Sequence, residues 1–199
     1  MTDGYGRLLK KTDTLLGWLE IRLNLLAGLI VFGLMFLGVV QIVLRTVFRA
    51  PIFGYIDIVE VAMVGFAVLA ISYVQRVGGH VRMELLVSRL RGRAYWIAEA
   101  LSIGLGIFIV AVLVPYSYQH FKRAFDFGDS TIDIEIITWP AKLAVPMALS
   151  ILLIRLIIQF GGYVRLSLNP ALEPVAVPLL KDVEEVAEEE IRQAAKDAS

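Results

Sequence analysis

Gln75-Arg76-Val77-Gly78-Gly79-His80-Val81-Arg82-Met83-Glu84-Leu85-Leu86-Val87-Ser88-Arg89-Leu90-Arg91-Gly92-Arg93 separates two long apolar runs and carries five arginines against a single glutamate. Lysine and arginine close to the ends of membrane spans bias a short loop toward the cytoplasmic side. A loop this basic is therefore placed inside, and its placement assigns a side to every other segment of the chain.

The remaining composition agrees with a membrane setting. Of 199 residues, 58% are hydrophobic and 19% charged, whereas soluble domains carry about 25% charged residues. The apolar residues fall into four runs, each long enough to cross a hydrocarbon layer of about 30 Å with about 20 helical residues. The fold class predicted is all-α: a polytopic membrane protein of four transmembrane helices with both termini cytoplasmic. Its expected organisation is an amphipathic cytoplasmic lead over 1–22, a four-helix membrane domain over 23–160 and a cytoplasmic acidic tail over 161–199. With no cysteine, disulfides, thiol catalysis, and iron–sulfur or cysteine-ligated zinc sites are excluded. The polar lead is long and mixed in charge and no small-residue cleavage pattern follows it, so the first span is expected to remain in the mature chain.

Arg7, Lys10, Lys11 and Arg22 in the lead alternate with leucines and Trp18, a pattern that suits a helix on an anionic lipid surface. Span 1 is predicted from about Leu23 to Leu44, ending before Ala50-Pro51. Gly28, Gly33 and Gly38 within it are candidates for close helix contact. Span 2 covers roughly Tyr55 to Val74, with Asp57 and Glu60 in its first turns, where the helix dipole favours acids; the favoured reading pairs one of them with Arg45 or Arg49 across the turn, or with a partner protein. Span 3 runs from about Trp96 to Tyr118 between aromatic belts, with Pro115 near its end. Span 4 begins near Ile136 to Pro140 and ends around Phe160; Pro146 is expected to kink it unless neighbouring helices compensate. Between spans 3 and 4, Asp126, Asp129, Asp133 and Glu135 outnumber Lys122 and Arg123.

No span centre carries an ionisable residue, although an ion- or substrate-holding core usually needs one there. The two histidines, His80 and His120, fall at opposite membrane faces and cannot clamp one haem between them. No P-loop, nucleophile-elbow or zinc-protease pattern occurs. No catalytic residue, metal or cofactor and no nucleic-acid partner is implied. What the residues describe is a membrane scaffold whose mechanism is carried by another subunit. The rival from a different class is a membrane-anchor subunit of a redox complex.

In order and spacing, several short motifs resemble the small, DctQ-like membrane subunit of tripartite ATP-independent periplasmic (TRAP) transporters. They are Gln41-Ile42-Val43-Leu44-Arg45-Thr46-Val47-Phe48 with Pro51, then Glu60 opening span 2, then Ala70 to Arg76. His80-Val81-Arg82-Met83-Glu84-Leu85-Leu86 follows, and Ala144-Val145-Pro146 with Arg155 completes the set. The chain departs from the family pattern in separating Asp57 from Glu60, in Ala70, and in the order Trp139-Pro140. The resemblance implies uptake of an organic acid (carboxylate) by symport across a bacterial or archaeal cytoplasmic (inner) membrane. It also implies two partners, a large elevator-type permease (M) subunit and a periplasmic solute-binding protein that docks transiently outside. Structural or intersubunit roles are expected for Gln41, Arg45, Glu60, His80, Arg82, Glu84 and Pro146. Arg45 and Glu60 either pair with each other or contact headgroups independently. His80, Arg82 and Glu84 either brace the inner loop or rest on anionic lipid. The external acids either meet the binding protein or are merely solvated.

Overall fold

The computed structural model describes residues 4–78, 93–168 and 177. Its first helix, α1 (Gly4–Val43), takes up the lead and span 1 as one 40-residue element, so residue 22 marks no break in the helix. At about 1.5 Å per residue α1 reaches about 60 Å, twice the hydrocarbon thickness. It ends in a π-helical turn, Leu44–Phe48. There Arg49 adopts a left-handed φ of 51°, and the Ala50 N–H donates to Leu44 O at 3.1 Å.

Span 2 is built from α2 (Tyr55–Leu69) and α3 (Ile71–Arg76). The Val74 N–H donates to Ala70 O at 3.0 Å, which carries the hydrogen bonding across the junction. The third and fourth spans are α4 (Arg93–Phe127) and α5 (Trp139–Leu168). All four spans are long and apolar enough to cross a membrane, as the hydropathy pattern predicts. Helix α4 passes through Pro115 and continues to Phe127 instead of stopping near Tyr118. Helix α5 likewise passes through the buried Pro146 and ends at Leu168. The Ser150 hydroxyl donates to Pro146 O at 2.7 Å, one of the local adjustments by which a membrane helix accommodates proline.

The most extensive interface joins α4 to α5. Its core is Ile103, Val110, Leu152, Leu156 and Tyr163, and the Trp96 ring stands 6.1 Å from that of Tyr163. Helix α5 also meets α1, α2 and α3 and so is the axis of the bundle. Elsewhere large apolar side chains point outward, among them Phe32, Phe36, Leu101 and Phe108. Hydrocarbon is their solvent, so this exposure carries no hydrophobic penalty. A Cβ at Gly28 or Gly33 would meet nothing within 4 Å, whereas at Gly38 it would stand 3.4 Å from the Tyr55 hydroxyl. Of these three glycines, only Gly38 makes such a contact among the described residues.

At one end of the bundle the chain between α4 and α5 folds into a small hairpin. Gly128, at φ +67°, turns the backbone out of α4, and the Asp129 N–H donates to Ala124 O at 3.0 Å. Ser130 and Ile137 then form an antiparallel bridge. The Thr131 N–H donates to Ile136 O, and the Thr138 N–H to Asp129 O, each at 3.0 Å. This hairpin end lies opposite the basic end, where residues 76–93 connect α3 to α4.

Two glycines in the left-handed region separate backbone strain from steric clash. Gly54 has φ +74°, and a Cβ there would fall on the Ile134 side chain; Gly128 has φ +67° and open space around it. Gly128→Ala should cost only the left-handed penalty of about 1–2 kcal/mol. Gly54→Ala should lower thermal stability in detergent further, because Ile134 must also move. Equal losses in the two variants would show that Ile134 yields freely.

Candidate functional site

Along α1, Leu9, Asp13, Gly17, Glu20 and Ala27 share one face, because helical neighbours recur every three or four residues. Leu9, Glu20 and Ala27 are buried, so this face is the inward one although two of its members are acids. Helix α5 faces it with Arg155 and, one turn on, Gln159, each only 1% exposed. Helix α3 adds Ser72, Gln75 and Arg76 at the same helical interval.

These side chains form two adjoining polar groups at the basic end, one centred on the buried Glu20 and Arg155 and one made by Gln75 and Gln159. The Arg155 guanidinium donates through Nε to Glu20 Oε1 at 2.8 Å. It also forms close ion pairs with Glu20 Oε2 and Asp13 Oδ1. The Ser72 hydroxyl donates to Glu20 Oε1 at 2.6 Å, and Arg76 Nε stands 4.0 Å from Glu20 Oε2. Gln75 Nε2 donates to Gln159 Oε1 at 2.8 Å, and Gln159 Nε2 returns a bond to Gln75 O at 3.3 Å. Gly17 makes room for this arrangement, since a Cβ there would fall on the Arg76 guanidinium. Two acids, Asp13 and Glu20, meet two arginines, Arg76 and Arg155. Buried charge is tolerated where it is paired and hydrogen-bonded, and here the pairing fastens α1, α3 and α5 to one another.

The hairpin end has its own polar latch. Asp57, 3% exposed at the start of α2, accepts at Oδ2 from the Asp133 N–H at 3.1 Å and the Ile134 N–H at 2.9 Å. The Thr131 hydroxyl reaches the same carboxylate and accepts from the Ile136 N–H at 2.9 Å. Lys142 of α5 donates to Asp129 Oδ2 at 2.6 Å. That hydrogen bond holds the Asp129 carboxyl below the usual carboxylate range. The acidic segment between α4 and α5 is thus a folded hairpin that uses Asp129 internally and clips onto Asp57, while Asp133 and Glu135 of the hairpin and Asp126 at the end of α4 stay exposed.

Of the residues singled out in the sequence, Gln41 accepts at Oε1 from the Ile52 N–H at 2.7 Å, which fixes the turn after span 1. Arg45 and Glu60 are both exposed, and no ion pair joins them among the described residues. They lie in two adjoining clefts that share Ile56 and Asp133. Pro146 is buried inside α5, far along the chain from both. His80, Arg82 and Glu84 lie outside the described residues. Asp13, Glu20, Ser72, Gln75 and Gln159 had no assigned role in the sequence. The signal for them was present in Asp13 and Glu20, seven residues apart on one helical face that is otherwise apolar or small. Among the described residues no group of three or more histidines and acids is placed to hold a metal.

A family model described as "Tripartite ATP-independent periplasmic transporters, DctQ component" matches residues 20–165. That range starts at Glu20 of the buried network and ends on α5 beyond Arg155. No curated protein matches the chain.

Replacing Arg155 with Met should destabilise the chain by about 3–5 kcal/mol, because it strips the buried Glu20 carboxylate of its closest cation and leaves it only Ser72 and the more distant Arg76. Adding Glu20→Gln to Arg155→Met should recover part of that loss in detergent melts, whereas strictly additive effects would argue against coupling. At the other end, Asp57→Ala removes the acceptor of two amides. Hydrogen exchange at Asp133 and Ile134 should then quicken tenfold or more, with little change inside α4 and α5.

Proposed function

Since the chain belongs to the DctQ component family of TRAP transporters and is therefore the small membrane subunit of one, we propose that it is the fixed scaffold for a large elevator-type permease subunit in uptake of an organic acid. In this reading the large subunit holds the coupling ion and substrate and moves between the two faces of the membrane. The small subunit widens the immobile part against which that motion occurs. A periplasmic solute-binding protein delivers the substrate from outside. The basic end faces the cytoplasm with both termini, the hairpin end faces the periplasm, and the membrane is the cytoplasmic (inner) one of a bacterium or archaeon.

The observation that carries the reading is how charge is distributed along the spans. Asp13, Glu20, Arg76, Glu99 and Arg155 cluster toward the basic end, and Arg45, Asp57, Glu60, Asp129 and Lys142 toward the hairpin end. The stretches 23–44, 61–75, 100–119 and 143–154 hold no Asp, Glu, Lys, Arg or His. An ion or carboxylate crossing a membrane needs polar partners near the midplane, and these stretches offer no ionisable one. At both ends the charges are largely spent on fastening helices together, as a frame requires. The hairpin presents Asp133 and Glu135, and the end of α4 Asp126, outward at the face assigned to the binding protein.

Proteoliposomes test the division of labour. Vesicles holding this chain alone should show no gradient-driven uptake of any member of a panel of small carboxylates. Adding the large subunit and the solute-binding protein should establish uptake of the cognate acid. Uptake by the chain on its own would overturn the scaffold assignment.

A further inference from the structure

Glu60 lies about one turn further along α2 than Asp57, but whereas Asp57 is buried beneath the hairpin, Glu60 is exposed. Ile56, Glu60, Met63, Val64 and Ala67 are all exposed and recur at helical intervals, so they form one stripe along α2. Glu60 is the only ionisable residue on that stripe. Arg45, exposed on the π-helical turn after α1, lines the cleft of about 460 Å³. Glu60 lines the neighbouring cleft of about 580 Å³. Neither side chain has a hydrogen bond or ion pair among the described residues. Asp57 and Asp129, which line the same cleft as Glu60, are already bonded to the hairpin amides and to Lys142.

A carboxylate on an outward apolar stripe of a membrane helix needs a cationic or hydrogen-bonding partner. In a phospholipid the phosphate is the charged group nearest the acyl chains, and it would satisfy Arg45 but repel Glu60. A protein surface with fixed charges of both signs satisfies both. We propose that the α2 stripe, together with the Arg45 turn, is the docking face for the large membrane subunit, which presents a basic or amide side chain to Glu60 and an acidic one to Arg45. This inference rests on the scaffold reading above and adds to it the contact face and the chemistry of the contact.

The absence of cysteine from the chain makes the test direct. Met63→Cys on the stripe and Phe108→Cys on α4, whose packing partner is α5, are each labelled with benzophenone maleimide in the assembled complex. On illumination Met63→Cys should give an adduct at the summed mass of the two membrane subunits, and Phe108→Cys should not. In parallel, Glu60→Lys should cut recovery of the large subunit by tenfold or more while the melting temperature of the isolated chain holds. Glu60→Gln, which keeps the shape, should reduce recovery less. The face assignment is overturned if Met63→Cys yields no adduct while the wild-type complex is intact, or if Glu60→Lys recovers the large subunit at the wild-type level. If the wild-type chain recovers no large subunit at all, the scaffold reading fails and this inference falls with it.

Discussion

The Arg155 guanidinium is the constraint on which the bundle depends. It sits about one helical turn inside the expected end of the last span, almost fully buried, where an unpaired cation is heavily penalised. Its partners, Asp13 and Glu20, come from the far end of the sequence, on the first helix. Ser72 and Arg76 close around the same carboxylate from α3. A network of this kind adds little net stability over apolar packing of equal volume, yet it is costly to break from one side. It therefore acts on arrangement: α1 can seat on α5 only in the register that brings both acids to the arginine. The lead and the first span run as one helix that passes this point, which ties the start of α1 to the bundle.

In a membrane, helix association gains little from hydrophobicity, because lipid tails are as apolar as leucine. The two ends of this protein meet that problem with polar chemistry. At the basic end ion pairs hold three helices. At the hairpin end backbone amides of the loop between α4 and α5 donate to Asp57 on α2, so a loop does the fastening. Between the ends, contact depends on aromatic and aliphatic packing, densest between α4 and α5. Phe121, Phe125 and Trp139 extend that packing to the hairpin, with the Trp139 ring 5.5 Å from Phe125 and nearly perpendicular to it, a favoured aromatic geometry. A frame fastened at both ends and apolar between them is what the proposed scaffold role calls for.

The surface divides along the same lines. Most outward side chains are hydrocarbon and match a lipid environment without further explanation. Among the exposed charges, Arg45 on its π-helical turn and Glu60 on α2 line two adjoining clefts. Asp57 and Asp129 of the same region are bonded within the chain, whereas this opposite-signed pair has no bond among the described residues, and in the proposed reading that contrast marks the docking face.

Sequence alone determined the number of spans, the basic loop between the second and third, and the short motifs of the family, because hydropathy, arginine placement and motif spacing are local properties. It also flagged Gln41, Arg45 and Glu60, while leaving open whether the two charges pair. The tertiary structure decided which charges meet. Asp13 and Glu20 read locally as part of a mixed-charge lead, and only the approach of Arg155 from a distant helix makes them a clamp. Asp57 read locally as a helix-dipole acid, and only the fold of the hairpin over it makes it the acceptor of the Asp133 and Ile134 amides. Long-range electrostatic partners are set by how helices pack in three dimensions, and no periodicity within one helix encodes the identity of the residue across from it.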